Sequence, residues 1–285
     1  MERIVYVNGN FVPESEGKVS IFDRAFLFAD GVYEVSAVLR GQLLDNAAHL
    51  ARLSRSLEEL DIPAPLDGAG IEAVQQELIA RNNLVEGTVY LQVTRGSADR
   101  DFAFPINPRP TLIMFTQARN IIDSPVAKRG ISVKTLPDIR WGRRDIKTVQ
   151  LLAASLAKET ALGDSFDDAW LTHEGFVNEA SSANAYIVND NDTIITRHLS
   201  NDILHGITRT AVLKLCEERG LKIEERAFSV EEAYAAKEAF ITSASSFVYP
   251  VVRIDNRTLS NGAPGPVAAD LRQIYIDTAL AQTES

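Results

Sequence analysis

The sequence predicts an α+β protein of two domains. Short strands joined by tight turns occur together with helices in separate runs, which is the pattern of α+β folds. A length of 285 residues is sufficient for two compact domains. The composition changes at residues 117–125, a polar stretch that indicates an interdomain linker. We therefore expect an N-terminal α+β domain over residues 1–118, a linker over 119–125 and a C-terminal domain over 126–285.

Two hairpin signals, two helical patterns and two further strands make up the predicted N-terminal domain. The dipeptides Asn-Gly at 8–9 and Arg-Gly at 40–41 each separate two apolar segments, as tight turns do between paired strands. Leucines at the helical period predict a helix capped by Asp45 or Asn46, and another helix follows near 70–82. The predicted strands cover residues 4–7, 11–12, 32–39, 43–44, 88–95 and 111–116.

Strands and helices also alternate in the predicted C-terminal domain. Amphipathic spacing predicts a helix over 147–161, beginning at Lys147. A second helix, from about 207 to 219, should end at Gly220, because glycine favours the end of a helix. Strands are predicted near 130–136, over 169–172, from 176 after a turn at 174–175, over 183–188 and over 239–242.

Composition excludes several classes of function. A net charge of −10 and an isoelectric point near 5.0 argue against a nucleic-acid-binding protein, which needs a basic face. No apolar run approaches the roughly 18 residues of a membrane span, and the first residues lack a signal segment, so we expect a cytoplasmic protein without a membrane partner. The single Cys216 fits a reducing compartment and a core position. The four histidines are too far apart to indicate a metal site.

Lys147 is the first candidate for chemistry. It stands at the predicted start of a helix, where the macrodipole favours anions, although most lysines at such positions are simply solvated. A catalytic lysine needs a lowered pKa to be a free amine, and a positive helix end would contribute to that shift. The nearby Arg140, Arg143 and Arg144 would add to it. The residues alone leave both interpretations open.

Glu179 is the second candidate. It lies in a strand-like segment and is followed by two serines and Asn184. One interpretation is an exposed strand end. The other is a carboxylate that faces a pyridine nitrogen and keeps it protonated, which makes the ring an electron sink.

Two helix segments are candidates for phosphate binding. Ile207 and Thr208 stand at a helix start, where free N–H groups bind anions and the Thr208 hydroxyl adds a donor. His49, Arg52 and Ser56 share one face of the helix that begins near residue 46. Arg52 could reach a phosphate with its planar fork, or this face could simply be solvated.

Together these segments resemble the class IV, fold-type IV enzymes that use pyridoxal 5′-phosphate (PLP), and most of all the D-amino-acid transaminases. The resemblance covers nearly the whole chain and implies two domains with the cofactor between them. The matching segments, in chain order, are Phe28–Val35, His49–Leu53, Asp138–Trp141 with Asp145–Lys147, Asn178–Ser182, Gly206–Arg209 and Thr242-Ser243.

The resemblance implies a role for each cofactor-binding residue. Lys147 would form a Schiff base with PLP and carry the proton between the substrate Cα and the cofactor C4′. Glu179 would pair with the pyridine nitrogen, and Arg140 would lie near the ring hydroxyl. The complete cofactor-binding set that it implies is Arg52, Arg140, Lys147, Glu179, Ser182, Ile207, Thr208, Ser243 and Ala244. Ala244 replaces a threonine of the family and so lacks one hydroxyl.

The substrate carboxylate, by the same resemblance, is bound by Tyr33, Tyr90 and Arg100. The loop that carries Arg100 comes from the neighbouring subunit in the family, which implies a homodimer. Phe102 stands where the D-amino-acid enzymes have a histidine, and this departure puts the substrate class in doubt.

The expected activity is transamination between a D-amino acid and a 2-keto acid. Related class IV transaminases acting on (R)-amines or branched-chain L-amino acids are an alternative. The branched-chain enzymes usually show Phe-Glu-Gly where this chain has Tyr33-Glu34-Val35. A lyase of the same fold and a binding protein without turnover also stay open.

Overall fold

The computed structural model describes residues 2–283, and these residues form two compact units. Unit 1 comprises the residues up to Asn120, the segment Ile146–Gln150 and the last residues from Gln282. Unit 2 comprises Ile121–Asp145 and Leu151–Ala281. The sequence patterns do not predict that residues 146–150 group with unit 1. The extents 1–118 and 126–285 stay a prediction for the folding domains.

The described part of unit 1 contains a six-stranded antiparallel sheet and three helices. The strands are β1 (Ile4–Val7), β2 (Asn10–Pro13), β3 (Gly31–Leu39), β4 (Gln42–Leu43), β5 (Gly87–Thr94) and β6 (Thr111–Ala118). The helices are α1 (Arg24–Phe28), α2 (Asn46–Glu59) and α3 (Gly68–Arg81), with a 3-10 turn at Glu14–Glu16. The strand order is β2-β1-β6-β5-β3-β4.

Both predicted hairpin turns of unit 1 are confirmed. Asn8 and Gly9 have φ angles of 48° and 94°, and Arg40 and Gly41 have 51° and 75°. Two successive residues with positive φ match the twist of the strands on either side, and glycine accepts this conformation without strain. These turns set the registers of β1 with β2 and of β3 with β4.

The sheet of unit 1 has one covered face and one face that carries aromatic side chains. On the covered face, Val38 of β3 and Val89 of β5 pack with Ile79 of α3. Tyr33 and Tyr90 lie half-buried on alternate positions of the same strands, because successive side chains of a strand point to opposite faces.

The prediction that the side chain of Asp45 or Asn46 caps α2 is wrong. Asp45 occupies the N-cap position with φ 51°, but its side chain makes no capping hydrogen bond. Asn46 is buried and accepts from the Ser36 hydroxyl at 2.9 Å, while its amide donates to Gln75 at 2.9 Å. These partners tie the helix to β3 and α3 instead.

The described part of unit 2 contains a nine-stranded mixed sheet and five helices. The strands are β7 (Ile131–Pro137), β8 (Asp168–His173), β9 (Phe176–Ala180), β10 (Asn184–Val188), β11 (Ile194–Thr196), β12 (Ile223–Glu225), β13 (Glu238–Ser243), β14 (Phe247–Ile254) and β15 (Arg257–Thr258). The helices are α4 (Pro125–Arg129), α5 (Leu152–Gly163), α6 (Ile207–Glu218), α7 (Val230–Tyr234) and α8 (Pro266–Gln282). The strand order is β12-β11-β10-β13-β14-β7-β8-β9, with β15 beside β14.

The core of unit 2 lies against its sheet and includes large aromatic side chains. Trp170 of β8 meets Phe228 edge to face at 6.0 Å, and Tyr186 of β10 stacks on Phe240 of β13 at 4.4 Å. All four rings are fully buried. The predicted end of α6 is confirmed, since Gly220 follows the helix with φ 67°.

The predicted helix over 147–161 begins five residues later, at Leu152. Lys147 is instead in a non-helical segment that is bridged to the start of β3. The Tyr33 N–H donates to the Lys147 carbonyl at 3.0 Å, and the Val149 N–H donates to the Gly31 carbonyl at 3.0 Å. Thr148 and Val149 are β-branched and favour extended backbone. Lys147 therefore does not stand at a helix start, as the sequence pattern predicted.

None of the helices in residues 2–283 combines the length and the apolar character needed to cross a membrane.

Candidate active site

Lys147 lies in unit 1 against an aromatic ring. Its Nζ is 4.2 Å from the ring centroid of Tyr33, and its side chain is half-buried. The neighbouring Ile146 and Thr148 are buried, which holds this segment in place. The backbone of Lys147 is therefore fixed on both sides.

Tyr33 begins a stack of aromatic rings on the same unit. Its ring lies 5.6 Å from that of Tyr90, which in turn stacks on Phe115 at 4.7 Å. The Tyr90 hydroxyl donates to Gln92 Oε1 at 2.8 Å. Burial raises the pKa of Tyr90, and the neighbouring Tyr33 adds to the shift, so the hydroxyl keeps its proton. The structure thus brings together three predicted site residues: Tyr33, Tyr90 and Lys147.

Arg52 takes part in a buried ion-pair network, so the solvated-face interpretation is wrong. Its Nε and Nη2 donate to the two carboxylate oxygens of Glu34 at 2.7 and 2.8 Å, and His49 Nδ1 lies 2.8 Å from Glu34 Oε2. Glu34 is 0% exposed. Burial acts to raise the pKa of Glu34, but Arg52 and His49 outweigh it and hold the value at about 2.

Glu34 was missed by the sequence analysis, although its position carried a signal. It alternates with Val32 and Ser36 on the buried positions of β3. A charge at a position of the covered face requires a partner.

Arg100 and Phe102 lie in the loop between β5 and β6. The Arg100 guanidinium carbon lies 5.4 Å from the ring of Phe28 and 5.7 Å from that of Phe102. Phe102 is 79% exposed and lies 5.5 Å from Phe28. Within residues 2–283, the structure gives neither residue a hydrogen bond or ring contact with the tyrosine and lysine group described above.

Glu179 lies in unit 2, near the end of β9, and is 3% exposed. The interpretation as an exposed strand end is therefore wrong. Its Oε1 accepts from Arg140 Nη1 at 2.5 Å, and its Oε2 accepts from the Leu204 N–H and the Asn184 amide, both at 3.1 Å. Burial raises the pKa of Glu179, and Arg140 opposes the rise.

Arg140 links Glu179 to a second carboxylate. Its Nε and Nη2 donate to Asp138 at 2.9 and 2.7 Å, and the Asn178 amide donates to the same carboxylate at 2.8 Å. Burial alone would raise the pKa of Asp138, but Arg140 lowers it to about 2. Asp138 had no role among the residues predicted from the sequence, although its position two residues before Arg140 was an available signal.

The other two arginines of this segment also form ion pairs. Arg143 Nε lies 3.0 Å from Asp145, and Arg144 Nη1 lies 3.1 Å from Asp202. Both guanidinium groups are therefore matched by carboxylates of unit 2.

The predicted phosphate-binding residues of unit 2 come from two packed elements. Ile207 and Thr208 form the first turn of α6, whose N-cap Gly206 makes no side-chain cap, and Thr208 is buried. Helix α6 packs against β13, which ends at Ser243. The Ser243 hydroxyl lies 2.6 Å from the Ser246 hydroxyl in the turn that follows.

The start of this helix packs closely on Asn184, so a residue larger than Gly206 would displace that side chain. A Cβ at this position would lie 2.1 Å from Asn184 Oδ1. Ala244 is half-buried in the turn after β13, whereas Ser182 is exposed between β9 and β10. Helix N–H groups and two hydroxyls form a donor set that suits a phosphate.

A family model described as class IV amino-transferase matches residues 31–254, most of the chain. The chain belongs to the class IV aminotransferases. It is accordingly an enzyme that transfers amino groups. The match covers all the predicted site residues.

This class IV aminotransferase resembles curated proteins over nearly its full length. A D-alanine aminotransferase of Bacillus licheniformis is 38% identical over 281 residues, which cover 98% of each chain. A D-alanine aminotransferase of Staphylococcus aureus (strain N315) is 35% identical over 277 residues, which cover 96% of each.

Solved structures of the same fold include branched-chain amino acid aminotransferases. That of Escherichia coli has a TM-score of 0.90 at 20% identity, covering 98% of this chain and 95% of its own. That of Thermoproteus uzoniensis with norvaline has a TM-score of 0.86 at 23% identity, covering 99% and 96%. At these identities the likeness shows the fold, and the predicted fold type IV is confirmed.

Proposed function

We propose that this class IV aminotransferase transfers an amino group between a D-amino acid and a 2-keto acid, using PLP. The observation that carries the proposal is the 35–38% identity to D-alanine aminotransferases over nearly the whole chain. The branched-chain enzymes match in fold at 20–23% identity. This difference favours the D-amino acid as the substrate class.

The donor set fits PLP, and each part has a proposed function. The amine of Lys147 would hold the aldehyde carbon, Glu179 would face the ring nitrogen and Arg140 the ring hydroxyl. Arg52, Ile207, Thr208, Ser243 and Ala244 are the proposed phosphate-binding residues, and Ser182 completes the proposed cofactor-binding set. When bound, PLP supplies an electron-withdrawing ring that stabilises the charge left at the substrate Cα after its proton is removed.

Lys147 would move that proton. Its backbone segment is fixed to β3 by two hydrogen bonds, and its amine lies 4.2 Å from the centroid of the Tyr33 ring. A fixed backbone that holds the amine in one place suits a general acid and base.

Glu179 would keep the ring nitrogen protonated. Burial raises the pKa of its carboxyl, and a more basic carboxylate holds a neighbouring N–H proton more strongly. The donors from Arg140, Leu204 and Asn184 fix the orientation of the carboxylate.

The hydroxyls of Tyr33 and Tyr90, together with Arg100, would bind the substrate carboxylate. Arginine is suited to this because its fork bonds a carboxylate at two points. Phe102 cannot donate a hydrogen bond to a carboxylate. This residue alone favours a second candidate function, the transamination of (R)-amines, which lack a carboxylate.

We also propose a cytoplasmic homodimer in which Arg100 serves the partner's site. The exposed apolar side chains Ile21, Phe22, Phe26, Phe102 and Ile106 of unit 1 support an interface there. A two-fold dimer is the simplest assembly. A fully active monomer in light scattering at assay concentration would contradict it.

A half-reaction screen tests the proposed substrate class. The yellow PLP-loaded protein is mixed separately with D-alanine, L-alanine, L-leucine and an (R)-arylamine, and cofactor absorbance is followed. Rapid bleaching by D-alanine, slow bleaching by the amine and none by the L-amino acids is the expected result. A preference for L-leucine or for the amine would contradict the proposal.

A further inference from the structure

Arg24 is a buried cation in unit 1 at the start of α1. It is 3% exposed, and its Nε donates to Asp30 Oδ2 at 2.7 Å. Its guanidinium carbon lies 4.5 Å from the ring of Phe28. Burying an arginine is costly unless its donors are matched, so the remaining partners of Arg24 matter.

Those partners are backbone carbonyls of the loop between β5 and β6. Nη1 of Arg24 donates to the Asp101 carbonyl at 2.7 Å and to the Ala103 carbonyl at 3.4 Å. The loop has no helix or strand between residues 95 and 110, all of which the structure describes, in which these carbonyls could find partners. Arg24 therefore connects the loop to α1 and to Asp30.

The start of the loop is fixed to the same segment by its backbone. The Arg24 N–H donates to the Gly96 carbonyl at 2.9 Å, and the Ala98 N–H donates to the Phe22 carbonyl at 3.2 Å. Between this attachment and the carbonyl of Asp101 lies Arg100, which is exposed.

A second buried arginine completes the support. Arg95 Nε donates to the same Asp30 oxygen at 2.8 Å, and its guanidinium carbon lies 3.6 Å from the ring of Phe104. Its other donors bind the carbonyls of Leu60 and Asp61 at 2.7 and 2.9 Å. Arg95 thus contacts the loop through the Phe104 side chain, whereas Arg24 binds the loop backbone next to Arg100.

We infer that Arg24 is a positioning residue for carboxylate recognition: it fixes the loop backbone so that Arg100 is presented in one orientation. The inference rests on the proposed function, in which Arg100 binds the substrate carboxylate. A loop that serves a partner's site would need this support from its own chain. Substrates without a carboxylate should not depend on Arg24.

Arg24→Lys tests the inference. The shorter ammonium keeps a charge beside Asp30 but cannot also reach both loop carbonyls. We expect the KM for D-alanine to rise about tenfold or more, since one hydrogen bond to a charged group is worth roughly that factor. The kcat for D-alanine should change little, because the carboxylate contact is lost equally in the ground state and the transition state. The kcat/KM for an (R)-arylamine should also change little, because this substrate has no carboxylate. Arg81→Lys is the matched control, an exposed arginine paired with Glu77 at 2.7 Å and stacked on Phe11 at 4.4 Å.

Hydrogen exchange of the parent, Arg24→Lys and Arg81→Lys proteins provides a readout besides activity. Faster exchange in residues 97–106 of Arg24→Lys, with β3 and β5 unchanged, is expected. Unchanged loop exchange would overturn the inference, and so would a raised exchange without a change in KM. Equal losses on D-alanine and the amine would show a merely structural role. A parent protein inactive on D-alanine would instead contradict the proposed function, and the exchange result would still decide whether Arg24 holds the loop.

Discussion

Glu179 receives hydrogen bonds from three parts of unit 2. Arg140 follows β7, Asn184 begins β10 and the Leu204 N–H precedes α6. Such convergence costs the chain conformational freedom and fixes the carboxylate in one orientation. We expect this orientation to serve the ring nitrogen of the cofactor.

Glu179→Gln tests the proposed role of the Glu179 carboxylate at the ring nitrogen. The amide keeps the shape but removes the charge that would hold the ring nitrogen protonated. Turnover should fall by about 10²-fold or more, the typical scale of acid–base assistance, while cofactor affinity changes far less. Glu224→Gln, which removes an exposed partner of Arg226 at 2.9 Å, is the control. Parallel losses of turnover and PLP affinity in Glu179→Gln would make Glu179 a structural residue.

A substitution at Phe102 tests the substrate preference. Phe102→His adds a donor two residues from Arg100, so the kcat/KM for D-alanine should rise by about one power of ten and that for an (R)-arylamine should fall. Phe176→His, at another exposed phenylalanine, should change neither. An increase for the amine would show that this position does not contact the carboxylate.

At the scale of elements, α2 is joined to β3 by charge as well as by packing. The carboxylate of Glu34 in β3 contacts Arg52 and His49 of α2, and all three side chains are buried. The pKa of Glu34 is lowered from 4.5 to about 2. Because its pKa in the folded state is depressed, the pair stabilises the fold above pH 4.5 and loses this contribution as the pH falls toward 2.

Glu34→Gln should destabilise unit 1 at pH 7 by roughly 3–5 kcal/mol, because it leaves the buried guanidinium of Arg52 without its anion. Urea unfolding gives the free energy of unfolding at pH 7 and at pH 3. The difference between the parent and Glu34→Gln should shrink at the lower pH. Glu58→Gln, at an exposed position of α2, should cost little at either pH. A pH-independent difference would mean that the charge of Glu34 does not stabilise the pair.

Local patterns predicted the elements that local forces determine. The turn dipeptides at 8–9 and 40–41 and the glycine after α6 are confirmed, because positive φ is a property of single residues. The helix predicted to begin at Lys147 is wrong, because pairing of this segment with β3 outweighs its amphipathic spacing. No pattern near residue 147 could show that distant partner.

At the scale of the whole molecule, the family and the fold type were predictable from ordered motifs, whereas the ion-pair networks were not. No local pattern shows the distant partners of Glu34 and Arg24. These partners lie up to 79 positions away along the chain, as in the contact of Arg24 with the Ala103 carbonyl. Such pairs become visible only after the sheet has brought distant segments together.

The central claim is that Lys147 carries the cofactor. The most direct measurement is reduction of the PLP-loaded protein with borohydride, followed by digestion and mass spectrometry of the labelled peptide. We predict a phosphopyridoxyl group on Lys147, no label and no turnover in Lys147→Ala, and normal labelling in Lys214→Ala, whose side chain is 76% exposed. A label on another lysine of the parent, or unchanged turnover in Lys147→Ala, would contradict the account.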